Sequence, residues 1–169
     1  ATGSISYSGY ANVAINSILD CYCASSASSP DDENITNFTL NGSSTPAAYA
    51  GANACTVPAP GPGSKLNSYS NFISLGNLSA IYKGSSIPFS VQIDDCDGAP
   101  YYNNGTAIWI DYNHNGVFTD PGEQVYVSAS LSFSPSTLNG SFVVPLTASL
   151  GNTVIRITTA EGLSGTGRS

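Results

Sequence analysis

The chain has no methionine, one histidine, one tryptophan, and only four lysines and arginines among its 169 residues. Each shortage excludes something. Lys65, Lys83, Arg156 and Arg168 cannot form a basic patch, and the net charge is −7. Nucleic acid and anionic membrane surfaces are therefore not expected as partners. No apolar run approaches the ~20 residues that a membrane-crossing helix needs, so no membrane insertion is expected. Without methionine the chain does not begin at its initiator. Ala1 reads as the end left by removal of an export signal, with an artificial boundary as the alternative. Charged residues make up only 9%; Ser, Thr, Asn and Gly supply the polar surface instead, which suits an extracellular or cell-surface protein. Helical periodicity is absent throughout. So are H-E-x-x-H, G-x-S-x-G and any phosphate loop. His114 is the lone histidine, and the acids Asp94 and Asp97 fall in a turn where carboxylates are ordinarily solvated. The chain is expected not to be an enzyme and to hold no catalytic residue.

Short β-prone runs separated by Gly, Asn and Pro turns predict an all-β chain, an antiparallel β-sandwich. Residues 35–40 form one run, ending at the Asn41-Gly42 turn signal. Residues 78–82 and 87–93 form two more, joined by a Lys83-Gly84 turn; the second alternates through Phe89, Val91 and Ile93. Residues 101–105 read as a polar turn before Ala107-Ile108-Trp109-Ile110. Residues 124–127, 131–133, 140–144 and 153–158 complete the set. Residues 43–65 carry little regular pattern, and a loop of that length is often an interface or a functional segment.

Two stretches stand apart. In residues 4–15 the odd positions Ile5, Tyr7, Gly9, Ala11, Val13 and Ile15 are apolar or small, and the even ones are mostly polar. That is strand alternation held beyond the usual strand length. It fits an ordinary first strand, or a strand donated to another partner. The second stretch follows Trp109. Asp111, Asn113 and Asn115 alternate and Gly116 follows, the first half of a D-x-[DN]-x-[DN]-G calcium loop, in which alternate residues aim oxygens at one centre. The candidate ligands are Asp111, Asn113, Asn115, the position-seven residue Val117, Asp120 and Glu123. Position twelve is Gly122 rather than Glu, and two of the leading ligands are neutral amides, so any calcium site is expected to be weak. The competing reading is a turn in which Asp and Asn side chains bond their own backbone.

Four cysteines, Cys21, Cys23, Cys55 and Cys96, suggest two disulfides in an exported chain. Three pairings exist. Cys21 to Cys23 would close a very tight ring, which favours each reaching to Cys55 or Cys96. A four-cysteine metal site is the competing reading. Sequons at Asn34, Asn37, Asn41, Asn77, Asn104 and Asn139 are candidate glycosylation sites, although chance alone produces several in so Asn-, Ser- and Thr-rich a chain.

Several motifs in order resemble one family. Asp20-Cys21-Tyr22-Cys23, Ile35-Thr36-Asn37-Phe38-Thr39-Leu40-Asn41, Tyr69-Ser70-Asn71-Phe72-Ile73, the 109–123 stretch, Gly140-Ser141-Phe142-Val143-Val144-Pro145 with Ala148 and Gly151, and the 153–158 run with Arg156 are similar to the GEVED domain. That module belongs to secreted, often multidomain proteins of Bacteroidota. The resemblance covers about residues 21–159. It implies an immunoglobulin-like sandwich at 20–169, preceded by an arm at 1–19. It also implies a closing strand bearing the G-E-V-E-D-Y motif, whereas residues 161–169 are Gly- and Ser-rich and carry no strand pattern. The expectation is a sandwich incomplete by one strand, with an N-terminal extension strand to spare; a chain cut at Ser169 would look the same.

Two functions follow as expectations. The first is a subunit of a pilus-like extracellular filament, a helical homopolymer joined when residues 4–15 of one copy enter a groove of the next. Ile5, Tyr7, Val13 and Ile15 would each contribute ~1.5–3 kcal/mol of burial to that joint. The second is a secreted calcium-dependent binding module that holds glycans or proteins through Tyr-rich loops such as Tyr101-Tyr102.

Overall fold

The computed structural model describes residues 33–44, 72–73, 76–95, 98–129 and 132–161. The 1–19 arm with its donor-strand positions, all four cysteines, the 45–71 excursion and the 162–169 tail lie outside the described residues. So does the question of a missing closing strand.

Among the described residues every regular element is a strand, apart from a single 3-10 position at Ile73. They are β1 (Glu33–Leu40), β2 (Ser43–Ser44), β3 (Ser86–Asp95), β4 (Asn103–Ile110), β5 (Gln124–Val127), β6 (Ser132–Phe133), β7 (Ser136–Val143) and β8 (Ile155–Glu161). One sheet runs β2-β1-β3-β7, and all its pairings are antiparallel. In the other, β4 is central, with β8 along one edge and β5 and β6 on the other. The two sheets pack face to face as a β-sandwich. Their shared core holds Phe38 and Leu40 from β1, Ile87, Phe89, Val91 and Ile93 from β3, Ile108 and Ile110 from β4, and Phe142 from β7.

Local chemistry accounts for most of this. Asn41 and Gly42 both have positive φ, 49° and 82°, as a two-residue hairpin turn requires, and they join β1 to the short β2. That pair of strand residues falls just inside the stretch expected to be irregular. On β1, Ile35 and Phe38 both pack with the core although three residues apart. A register shift between Ile35 and Asn37 supplies the extra residue, the usual effect of a β-bulge. β3 keeps strict alternation, with Phe89, Val91 and Ile93 buried and Gln92 exposed. Pro88 is tolerated within this central strand because its carbonyl accepts the Asn41 N–H at 2.9 Å. Its side of the backbone thus faces the end of β1, where no ladder donor is needed.

Two expectations are corrected. Residues 78–82 are not a strand. Leu78 and Ile81, three apart, turn inward against the core, and the Ala80 carbonyl is held by the Asn41 side chain at 3.3 Å. The anticipated turn at Lys83-Gly84 does form, with the Ser85 N–H donating to Tyr82 at 3.0 Å. Residues 103–105, expected as polar turn, are the first part of β4. Their pairing with β8 and β6 overrides their turn propensity.

Candidate functional site

β4 has alternating side chains but is buried on both faces. Ile108 and Ile110 face the core between the sheets. Ala107 and Trp109 face the other way, and a second apolar cluster covers them. Its lid is Phe118, supplied by the loop that follows β4, with Val154 beside it. The Arg156 guanidinium lies 4.4 Å from the centre of the Phe118 ring, a cation–π contact over this cluster. The 111–123 loop is therefore part of the sandwich: it folds back to cover the outer face of the central strand.

The polar residues of the loop serve that turn. Asp111 is fully buried, and its carboxylate accepts the N–H groups of Asn115 at 3.2 Å and Gly116 at 2.9 Å. The Asn113 side-chain oxygen accepts the Asn115 N–H, and the Asn115 side-chain oxygen accepts the Val117 N–H, both at 3.0 Å. Both amide nitrogens then donate to one oxygen of Asp120, Asn113 at 2.6 Å and Asn115 at 2.5 Å. His114 and Gly116 take positive φ, 63° and 84°; a glycine at the second position carries no steric penalty. Glu123 closes the loop. Its buried carboxylate accepts the Tyr112 N–H at 3.0 Å, and its own backbone N–H and carbonyl bond Asp120 and Ile110.

The segment that connects β7 to β8 holds the loop in place. Asp111 N–H donates to Val154, the Ser149 N–H donates to Tyr112 at 2.7 Å, and the Thr153 hydroxyl donates to the Asp111 carbonyl. Sequence reasoning missed these residues and Phe118. The Thr153 signal was visible only as the first residue of a strand run.

The electrostatics follow from burial. Burial pushes the Glu123 carboxyl above the usual carboxylate range. The nearby Asp111 and Asp120 charges add to the rise, and the N–H groups of Asn113 and Tyr112 oppose it. The second Glu123 oxygen is buried without a hydrogen-bond partner. Burial also raises the Tyr112 phenol from 10.0 to about 12, and its hydroxyl too has no partner.

The sequence-derived ligand set is thus brought into one loop. A hard cation fits the chemistry of its donors, all oxygen, and the orphaned Glu123 oxygen is a group in want of a partner. The arrangement fits less well. Asn113 and Asn115 turn nitrogen toward Asp120 and keep their oxygens for backbone N–H groups. Among the described residues no three His, Cys, Asp or Glu side chains gather as a metal-holding group. The bonds drawn are those of the Asx-turn reading. In the acidic turn, Asp94 and Asp95 likewise accept backbone N–H groups, of Asp95 at 3.0 Å and Gly98 at 2.8 Å.

The sequons divide by burial. Asn77 and Asn139 are exposed; Asn41 is exposed with its amide on Ala80; Asn37 is half-buried; the Asn34 side chain lies outside the described residues. Asn104 is 1% exposed, with its amide nitrogen on the Ser134 hydroxyl at 2.6 Å. A glycan has no room there in the folded chain. Among the described residues no helix is long and apolar enough to cross a membrane.

Fold and loop together define an antiparallel β-sandwich module whose central strand is roofed by an acid- and amide-rich turn. Residues 105–168, from β4 through β8, match the family model of the GEVED domain. This match begins well inside the stretch over which the motifs resemble that family, at its Trp109 half. No curated protein and no solved structure matches the chain.

Proposed function

We propose that this chain is an exported structural subunit that joins to copies of itself by strand addition and so builds an extracellular filament. The observation that carries this reading is the end of the first sheet. β7 is eight residues long, and among the described residues it pairs with β3 alone. Natural sandwiches guard such an edge with charge, proline, bulges or short length. β7, Ser-Thr-Leu-Asn-Gly-Ser-Phe-Val, has none of these along its length. Its register with β3 is unbroken over all eight residues. The chain also contains residues 4–15, which alternate as a strand does. Size exclusion and negative-stain electron microscopy test the reading, comparing the full chain with one lacking residues 1–16. Filaments or ladders in the first that vanish in the second are expected. Monomers in both would defeat the reading.

A second reading is a secreted calcium-dependent module that holds carbohydrate or protein, with Tyr101 and Tyr102, both about half exposed, as contact residues. The buried Glu123 oxygen that lacks a hydrogen-bond partner favours it. A cation would require both amides to turn oxygen toward Asp120. Calcium that binds only the folded state must raise Tm as its concentration passes Kd. Millimolar calcium added to chelator-treated protein is therefore expected to raise Tm, and Asp120→Ala is expected to abolish the rise. A Tm indifferent to calcium would remove this reading.

A further inference from the structure

The geometry points to the outer edge of β7 as the acceptor, taking residues 4–15 of a second copy, with their apolar face turned toward the core beside Phe89, Leu138 and Phe142. This deepens the filament reading and rests on it.

Backbone direction decides which groups are available to a further strand. Along a strand, successive residues direct their N–H and C=O to opposite sides. Pro88 directs its carbonyl to the β1 side, at Asn41, whereas the Ser85 carbonyl accepts the Val144 N–H across the β3–β7 side at 3.0 Å. Odd-numbered β3 residues therefore face β7. Their register partners on β7 are Ser136, Leu138, Gly140 and Phe142. The other four residues, Thr137, Asn139, Ser141 and Val143, direct their N–H and C=O away from β3. All four have exposed side chains. A strand laid along this edge meets a continuous row of donors and acceptors.

Side-chain facing agrees with backbone direction. Residues directly opposite in a ladder project to the same face. On β7 the inward set is Ser136, Leu138, Gly140 and Phe142, and the outward set is Thr137, Asn139, Ser141 and Val143. Residues 4–15 divide in a similar way: Ile5, Tyr7, Val13 and Ile15 on one face, and Ser4, Ser6, Ser8, Tyr10, Asn12 and Ala14, mostly polar, on the other. Pairing apolar with inward and polar with outward continues both faces of the sheet. A slip of one residue would reverse every side chain.

The centre of the edge fits as well. Gly140 lies under the Phe89 ring, so closely that a Cβ there would meet the ring at 2.5 Å. Phe89 is fixed edge-on against Tyr126 at 4.8 Å and stacks with Phe142 at 6.3 Å. A strand passing Gly140 meets this aromatic group at its middle and needs small residues there. Residues 4–15 carry Gly9 and Ala11 at the middle of their apolar face, with the large residues on either side.

A second copy, rather than the same chain, is the occupant on the filament reading; among the described residues β7 pairs with β3 alone.

The test uses the full chain. Asn139→Pro removes one outward N–H and no bond to β3, so the fold is expected to persist with an unchanged circular dichroism spectrum while assembly falls at least tenfold by light scattering and microscopy. Asn139→Gln, which removes the same sequon, is expected to assemble normally. If the proline variant fails to fold, Thr137→Lys with Ser141→Lys places two charges on the exposed face of the edge and is expected to block assembly. Normal assembly of a folded Asn139→Pro or double-lysine chain, with assembly still lost on deleting residues 1–16, would overturn the β7 assignment and leave strand exchange standing. A wild-type chain that stays monomeric, while Asn139→Pro lowers its Tm, would mean that the chain's own residues fill the edge. A monomer indifferent to all these changes would overturn the filament reading itself.

Discussion

β3 and β4 are both central strands, yet they meet their surroundings differently. β3 has one buried face and one exposed, so its sequence alternates. β4 is buried on both faces, because the loop it feeds returns Phe118 to cover Trp109 and Ala107. The contrast extends to their sheets. Around β4, edges and faces are covered by β5, β6, β8 and the loop. Beyond β3, the sheet among the described residues stops at β7, whose outward side chains stay exposed. The loop covers the outer face of β4, whereas no described strand pairs with the outer edge of β7.

Trp109→Ala should produce the largest effect. It empties the cluster beneath the loop, and large-to-small changes of this kind cost about 3–5 kcal/mol. Urea denaturation would register this as a marked fall in midpoint; a loss below about 1 kcal/mol would mean that the loop does not pack on β4 as described. Gly140→Ala tests the other sheet. The added methyl must displace the Phe89 ring, and overpacking of this kind costs about 1–3 kcal/mol. A neutral result would show that Phe89 can move aside, weakening the argument for small residues at the centre of the acceptor.

The pH dependence of the loop is a smaller effect with a definite sign. A carboxyl whose folded pKa is raised favours the folded state most below its unfolded pKa, and that contribution is lost as pH rises through the folded value. Glu123 has the raised value. Chelator-treated protein should therefore lose some stability as pH climbs from the ordinary carboxylate range through the raised Glu123 pKa. Glu123→Gln should remove that decline while keeping an acceptor for the Tyr112 N–H. An identical pH profile in the variant would show that Glu123 is solvated. The smallest effect is expected from Tyr112→Phe. It deletes a buried hydroxyl that has no partner, so neutral-pH stability should change by less than about 1 kcal/mol and in the favourable direction if at all. The loss of stability expected for the wild type as pH rises from 10 through about 12 should also diminish.

The same contrast explains what the sequence made legible. Phe89, Val91 and Ile93 announce a half-exposed strand, and Asn41-Gly42 announces its hairpin, because period and turn chemistry are local. The burial of Trp109 on the outer face is not local. Its cover arrives with Phe118, brought back by a loop whose spacing suggested ligands before it suggested a roof, and with Arg156 of β8 against that ring. Leu78 and Ile81 reach the core without strand pairing, which an apolar run cannot distinguish from a strand. Residues 103–105 look like a turn until β8 pairs with them. The edge position of β7 could not be read at all, since alternation reports which face is buried and carries nothing about which strands are neighbours.

The most direct measurement is amide hydrogen exchange of the assembled chain against its monomer, read residue by residue along β7. The outward amides of Thr137, Asn139, Ser141 and Val143 are expected to exchange freely in the monomer and to become strongly protected on assembly. Those of Leu138, Gly140 and Phe142, bonded to β3, should be protected in both. Outward amides that exchange as fast in the assembly as in the monomer would contradict strand addition at β7, whatever the microscope shows.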